Sequence, residues 1–353
     1  MSENKNWLQK MKLNHPLVIA GPCSAETEEQ VLDIANQLQK TDATIFRAGI
    51  WKPRTRPGNF EGLGAIALPW LKRVKDETGL LTAIEVANAN HAKLALEFDI
   101  DILWIGARTT VNPFAVQEIA DALKNTNKIV LVKNPINPDL ELWIGAIERL
   151  QKANIKNIGA IHRGFSTYRK STYRNNPKWQ IPIDFKNRLP KIPLICDPSH
   201  ICGEREGIID VSQTALDLQF DGLMIETHND PDKAWSDAKQ QITPNRLQEI
   251  ITDLRIRKKD FGNNDLDKLR KQIDLIDDKI LDILHARMEV VKKIGAKKKK
   301  DNVAVYQQDR WKEIIQKSIN KGTDLGLSTS FVEKIYKSIH QESINQQEKI
   351  INS

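Results

Sequence analysis

Eight short runs rich in branched apolar residues punctuate the first two thirds of this chain, at 16–20, 44–47, 82–86, 102–105, 129–132, 158–161, 193–196 and 222–225. Between most of them lie stretches whose apolar residues recur at helical spacing, at 27–40, 65–78, 90–98, 113–124, 139–152 and 210–218. Strand-length runs alternating with helix-length runs describe βα units and a parallel sheet, and eight strands close such a sheet on itself. A (β/α)8 barrel is therefore expected.

Around Phe261-Gly262-Asn263-Asn264 the alternation stops. From 266 to 294 apolar residues fall at Leu269, Ile273, Ile276, Ile280, Ile283, Val290, Val291 and Ile294, with no Pro or Gly before Gly295, so one unusually long helix is expected. Two more amphipathic segments, at 309–320 and 328–347, are separated by the breaker at 322–326. The expected class is α/β, a (β/α)8 TIM barrel over 1–260 followed by a smaller all-α domain over 261–353. A helix this long with an apolar stripe needs a partner, which makes the chain a homodimer or higher homo-oligomer.

No apolar run approaches the ~20 residues needed to span a bilayer, so no membrane partner is expected. Residues 1–14 lack the continuous apolar core and cleavage site of a secretory signal, and three cysteines without a Cys-x-x-Cys pair suit reduced thiols. A cytoplasmic location is the expectation. The net charge of +7 is spread along the chain and balanced locally by acids, so no nucleic acid is expected either. The contrary reading would use the lysine run at 297–300 with Arg169, Lys170 and Arg174; the run itself reads as a helix end whose cations complement the macrodipole.

In a parallel barrel the residues following each strand converge on one face, and here they are rich in chemistry. Cys23, His200, Glu226 and Asp237 combine a thiolate, an imidazole and two carboxylates, a set suited to a divalent transition metal rather than to magnesium. Cys202, two residues beyond His200, offers an alternative sulfur. Five cations, Lys52, Arg54, Arg108, Lys133 and Arg163, point at the same face, with too few acids on these loops to pair them all. That many like charges call for an anion, and a phosphorylated substrate fits.

The stretches Gly21-Pro22-Cys23-Ser24, Arg47-Ala48-Gly49 with Lys52-Pro53-Arg54-Thr55, Gly106-Ala107-Arg108, Asp197-Pro198-Ser199-His200, and Glu226-Thr227-His228 through Asp237 resemble the 3-deoxy-7-phosphoheptulonate (DAHP) synthase family over about 10–257. The resemblance implies condensation of phosphoenolpyruvate with erythrose 4-phosphate, and it selects Cys23 over Cys202 as metal ligand. Manganese is the first choice of metal, with iron, cobalt and zinc as the others. It also implies that Arg108, Lys133 and Arg163 hold phosphoenolpyruvate, that Lys52 lies by its carboxylate and reacting atoms, and that Arg54 and Thr55 serve the aldose; Lys52 or a metal-bound water is the expected proton donor to the new alkoxide. A sister family uses arabinose 5-phosphate on the same barrel; the Lys52-Pro53-Arg54-Thr55 loop favours the four-carbon aldose.

In the helical part, Arg270, Arg287, Lys298 and Arg310 are basic, and Ser343 and Gln347 stand one turn apart. Arg287 sits in the apolar seam among Ile280, Ile283 and Ile294, where an unpaired charge is costly. Leu269-Arg270, Ile273-Asp274, Ile276-Asp277, Ala286-Arg287-Met288, Lys298, Arg310 and the segment from Ser343 to Gln347 resemble the all-helical chorismate mutase family over about 264–350. The resemblance implies that Arg270 from a partner subunit, Arg287 and Arg310 hold the carboxylates of chorismate. Lys298 and Gln347 then face its ether oxygen, and Ser343 positions it. Gln307 and Trp311 depart from the pattern, standing where many relatives carry acids against the substrate hydroxyl. With both activities in one chain, prephenate is the expected inhibitor of the barrel, sensed by the helical domain.

Overall fold

The computed structural model describes residues 6–13, 15–54, 58–168, 171–257 and 264–352. All eight expected strands form: β1 Leu17–Gly21, β2 Ile45–Ala48, β3 Leu81–Val86, β4 Ile102–Ile105, β5 Ile129–Lys133, β6 Asn157–His162, β7 Leu194–Cys196 and β8 Gly222–Glu226. They close into one parallel barrel in chain order, β8 pairing with β1 from Leu17↔Gly222 to Gly21↔Glu226. Several flanking helices start at caps readable in the sequence. Thr27, Asn88, Asn112, Asp139 and Thr243 each accept a hydrogen bond from a first-turn backbone N–H. Helix Gln180–Arg188 between β6 and β7 has no counterpart among the expected segments; Pro182, in its first turn, is tolerated there because that turn's N–H groups have no intrahelical partner.

Alternate strand residues face alternate sides. Leu17, Ile19, Ile45, Ile102, Leu131 and Met224 fill the barrel interior, while Phe46, Ile84, Leu103 and Val130 pack outward against helices. The short helix Trp7–Met11, held by a capping box between Asn6 and Gln9, inserts Trp7 into the interior cluster, where its Nε1 donates to Ile158 O at 2.9 Å. That end is packed shut, which leaves the C-terminal mouth for chemistry.

The chain divides into two compact units, Met1–Lys259 and Asp260–Ser353. The second is built of helices Asn264–Asp301, Gln308–Asp324 and Thr329–Asn352, the first with 38 residues and so about 57 Å long. Gly295, and Gly322 from the expected breaker, lie inside helices. A Cβ on Gly295 would stand 3.2 Å from Gln347 Cα, and one on Gly322 would lie 2.5 Å from Val332 Cγ2, so both permit close helix approach. The stop comes at Gly326, the last residue of that breaker, whose φ of +78° suits glycine.

Candidate active sites

At the C-terminal ends of the strands the interior alternation continues with charge. Arg47, Glu85, Lys133 and Glu226 stand two residues beyond Ile45, Ala83, Leu131 and Met224, on the same face. Their floor is the fully buried Trp104: the Arg47 guanidinium lies 4.9 Å and Lys133 Nζ 5.7 Å from its ring, and its Nε1 donates to Glu85 at 3.1 Å. Above it is a cavity of about 60 Å³ lined by Cys23, Lys52, Arg54, Arg108, Lys133, His200, Glu226 and Asp237 together with Arg47 and Glu85. The ends of seven of the eight strands, or the loops that follow them, thus meet at one point. Arg163 stands beside the cavity, its guanidinium donating to Asn175 Oδ1 at 2.7 Å and its N–H to Asn134 Oδ1 at 2.7 Å. Thr55 lies outside the described residues.

The possible metal donors come as two pairs. Cys23 Sγ is 3.3 Å from Asp237 Oδ2, and His200 Nε2 is 3.9 Å from Glu226 Oε1. Among the described residues no three such side chains stand at ligating spacing, and cations lie against the donors: Lys52 Nζ is 2.6 Å from Cys23 Sγ, Arg47 is 3.0 Å from Glu226, and Arg54 is 3.2 Å from Asp237. The chemistry of the set nonetheless fits a transition metal. His200 Nδ1 lies 2.9 Å from Asp197, whose carboxyl is held well below the usual range because His200 and Lys133 outweigh its burial. A carboxylate accepts, so Nδ1 carries the proton and the Nε2 lone pair faces Glu226 and the cavity, the orientation a carboxylate behind the ring gives to ligating histidines. Burial, opposed in part by Asp197, also lowers the His200 pKa and keeps the ring neutral. For Glu226 and Asp237 burial acts to raise the pKa and nearby cations prevail, leaving both carboxylates ionised. Burial, and next Glu226, push the Cys23 thiol up to about 12; a metal ion would have to displace that proton.

Acids on the loops pair more of the cations than the sequence suggested. Lys133 donates to Asp197 at 2.8 Å and Arg54 meets Asp237. Asp197 therefore touches both Lys133, an expected anion contact, and His200, an expected metal donor, a bridge the sequence reading did not identify. Arg174 was missed as well. Its guanidinium turns toward the cavity, to Asp237 Oδ1 at 2.9 Å and Gln240 at 2.7 Å; Arg169 and Lys170 lie outside the described residues. The neighbouring Asn175 joins Arg163 to His200 O, to which its amide donates at 2.6 Å.

In the helical unit, Arg287 NH1 donates to Ser343 Oγ at 2.5 Å, Gln347 is buried one turn beyond Ser343, and Lys298 Nζ donates to Val305 O at 2.6 Å. Burial lowers the pKa of both Arg287 and Lys298. Arg270 and Arg310 are not drawn into this cluster: they lie exposed beside Asp267 and Glu313.

The fold and the cavity define a (β/α)8-barrel enzyme whose mouth is built for an anionic substrate. The chain belongs to the DAHP synthetase I family, whose model matches residues 10–261, and the chorismate mutase type II model matches 269–348 in the helical unit. The phospho-2-dehydro-3-deoxyheptonate aldolase of Thermotoga maritima is 31% identical over 238 residues, 67% of this chain and 68% of that protein. Its crystal structure aligns with a TM-score of 0.60 at 29% identity, covering 67% of this chain and 68% of that one. The 2-dehydro-3-deoxyphosphooctonate aldolase of Bradyrhizobium diazoefficiens is 27% identical over 257 residues, 66% of this chain and 86% of that protein. Both parts are enzymatic, a DAHP synthase and a chorismate mutase. No described helix is long and apolar enough to cross a membrane.

Proposed function

We propose that the barrel condenses phosphoenolpyruvate with erythrose 4-phosphate in a reaction that depends on a divalent transition metal, manganese foremost, held by Cys23, His200, Glu226 and Asp237. One observation carries the reading: cations suited to a phosphorylated acid and donors suited to a transition metal line one cavity, with Asp197 tying Lys133 to His200. Arg108, Lys133 and Arg163 hold phosphoenolpyruvate, and Arg54 with Thr55 receives the aldose phosphate. When bound, the metal supplies Lewis-acid polarisation of the aldose carbonyl. The methylene carbon of phosphoenolpyruvate forms the new bond to that carbonyl carbon. Lys52, on the cavity wall against Cys23, gives a proton to the resulting alkoxide. Water adds to the cationic carbon left behind, losing a proton, and the C–O bond to phosphate breaks.

The helical unit rearranges chorismate within a homodimer and reports prephenate to the barrel as an inhibitor; the chain works in the cytoplasm with its thiols reduced. Support for the dimer is geometric. Arg270 lies 17 residues from Arg287 on one helix, about 25 Å away, so it reaches a chorismate site only on another copy. Leu269, Ile273, Ile276, Ile280 and Ile283, at heptad spacing, are each about half exposed or more. The test is phosphoenolpyruvate consumption with erythrose 4-phosphate by chelator-stripped protein, before and after manganese, with and without prephenate. Activity that returns with metal and falls with prephenate supports the reading. Metal-independent activity, or equal turnover of arabinose 5-phosphate, sinks the corresponding part.

A further inference from the structure

On helix Thr329–Asn352, His340 precedes Ser343 by three residues and Gln347 by seven, so all three lie on one helix face. Two polar atoms of that face are buried without a hydrogen-bond partner, His340 Nε2 and Gln347 Oε1. Orphaned buried polar atoms are uncommon, and two on either side of the Arg287–Ser343 contact mark a place prepared for a polar ligand. The His340 ring is fixed by its surroundings: it stacks on Trp311 with centroids 4.0 Å apart and planes 11° from parallel, and Tyr306 stands at 6.1 Å.

We propose that His340 is a substrate contact of the helical site, its Nε2 hydrogen-bonding the ring hydroxyl of chorismate while Trp311 holds the imidazole in register. The inference rests on the mutase reading above. Burial and the nearby Arg287 both disfavour a charged His340. A neutral imidazole, able to donate or accept, matches a neutral hydroxyl, while Arg287 and Lys298 are the groups suited to carboxylates and a developing negative charge. Trp311, one of the two departures from the family pattern, thereby acquires a role as a positioning surface.

The test uses the full chain. In His340→Phe the ring stack is kept and Nε2 is lost, and kcat/KM for chorismate should fall on the order of tenfold to a hundredfold. His340→Gln, which keeps a hydrogen-bonding group, should lose much less. The Phe penalty should vanish with an analogue lacking the ring hydroxyl, and barrel turnover should stay unchanged in both variants. An active wild type with an indifferent His340→Phe, or an equal penalty with the deoxy analogue, overturns this inference alone. A wild type that neither binds nor converts chorismate overturns the mutase reading and this inference together. Where circular dichroism shows that Phe perturbs the fold, a His340→Gln loss as large as that of His340→Ala overturns it, and a clearly smaller one supports it.

Discussion

In the barrel, Arg47 meets Glu226 at 3.0 Å with both side chains nearly sealed from solvent, whereas in the helical unit Arg270 and Arg310 lie on exposed acids. The contrast extends to apolar surface. Barrel strands bury both faces, while the long helix carries Leu269, Ile273, Ile276, Ile280 and Ile283 about half exposed or more. Closure explains the difference: eight strands bring distant loops together, so polar groups of one chain find partners within that chain. A long helix with two shorter ones has no such closure and leaves an apolar stripe exposed. The barrel site is thus prepared within one chain, and in the proposed homodimer the helical site is completed by two.

The largest effect should come from breaking the second half of that statement. With Ile276→Asp and Ile280→Asp combined, two charges enter the stripe while the barrel is untouched. Light scattering should show the mass per particle halved, and chorismate turnover should fall on the order of a hundredfold as the partner's arginine is lost. Phosphoenolpyruvate turnover without prephenate should stay within about twofold. A variant that remains dimeric, or a monomer with full mutase turnover, would erase the contrast.

A second prediction sharpens the barrel side. His162 is sealed among Trp143, Phe165, Trp179 and Phe220, and burial holds its pKa down to about 3. The unfolded chain protonates this histidine near 6.5 and the folded chain does not, so the contribution is complete above that pH and is lost as pH falls from 6.5 towards 3. The slope is about 1.4 kcal/mol per pH unit. Urea unfolding of the barrel followed between pH 6.5 and 4 should show this slope in the wild type and a shallower one in His162→Phe. Equal slopes would mean that the folded His162 titrates normally.

The strands were legible because each is buried on both faces and therefore reads as a continuous apolar run. The loop chemistry was legible because charged residues directly follow those runs. Arg47 was harder, since it lies inside a strand; period-two alternation from Ile45 places it on the interior face, and a charge on that face was the available signal. No local pattern announces Asp197 as a bridge, because its partner Lys133 lies 64 residues away. The packing roles of Gly295 and Gly322 were not legible because each depends on a neighbour, here Gln347 or Val332, that spacing does not reveal.

Arg174 offers the smallest expected effect and the finest test of preparation within one chain. It is half exposed, so its ion pair with Asp237 should contribute no more than about 1 kcal/mol to folding. Its consequence lies in placement. Arg174 N–H donates to Cys202 O and Asn175 N–H to Ile201 O, which docks this loop on the helix bearing His200, and the Arg174 side chain then reaches the loop of Asp237. Two of the proposed metal donors are thereby held in mutual register by one dipeptide. In Arg174→Gln the melting temperature should barely move, while manganese binding measured by calorimetry should weaken roughly threefold to tenfold, with kcat at saturating metal nearly unchanged. Unchanged affinity would show that Asp237 is held by Arg54 and its own loop alone. A loss of kcat at saturating metal would instead give Arg174 a direct contact with substrate.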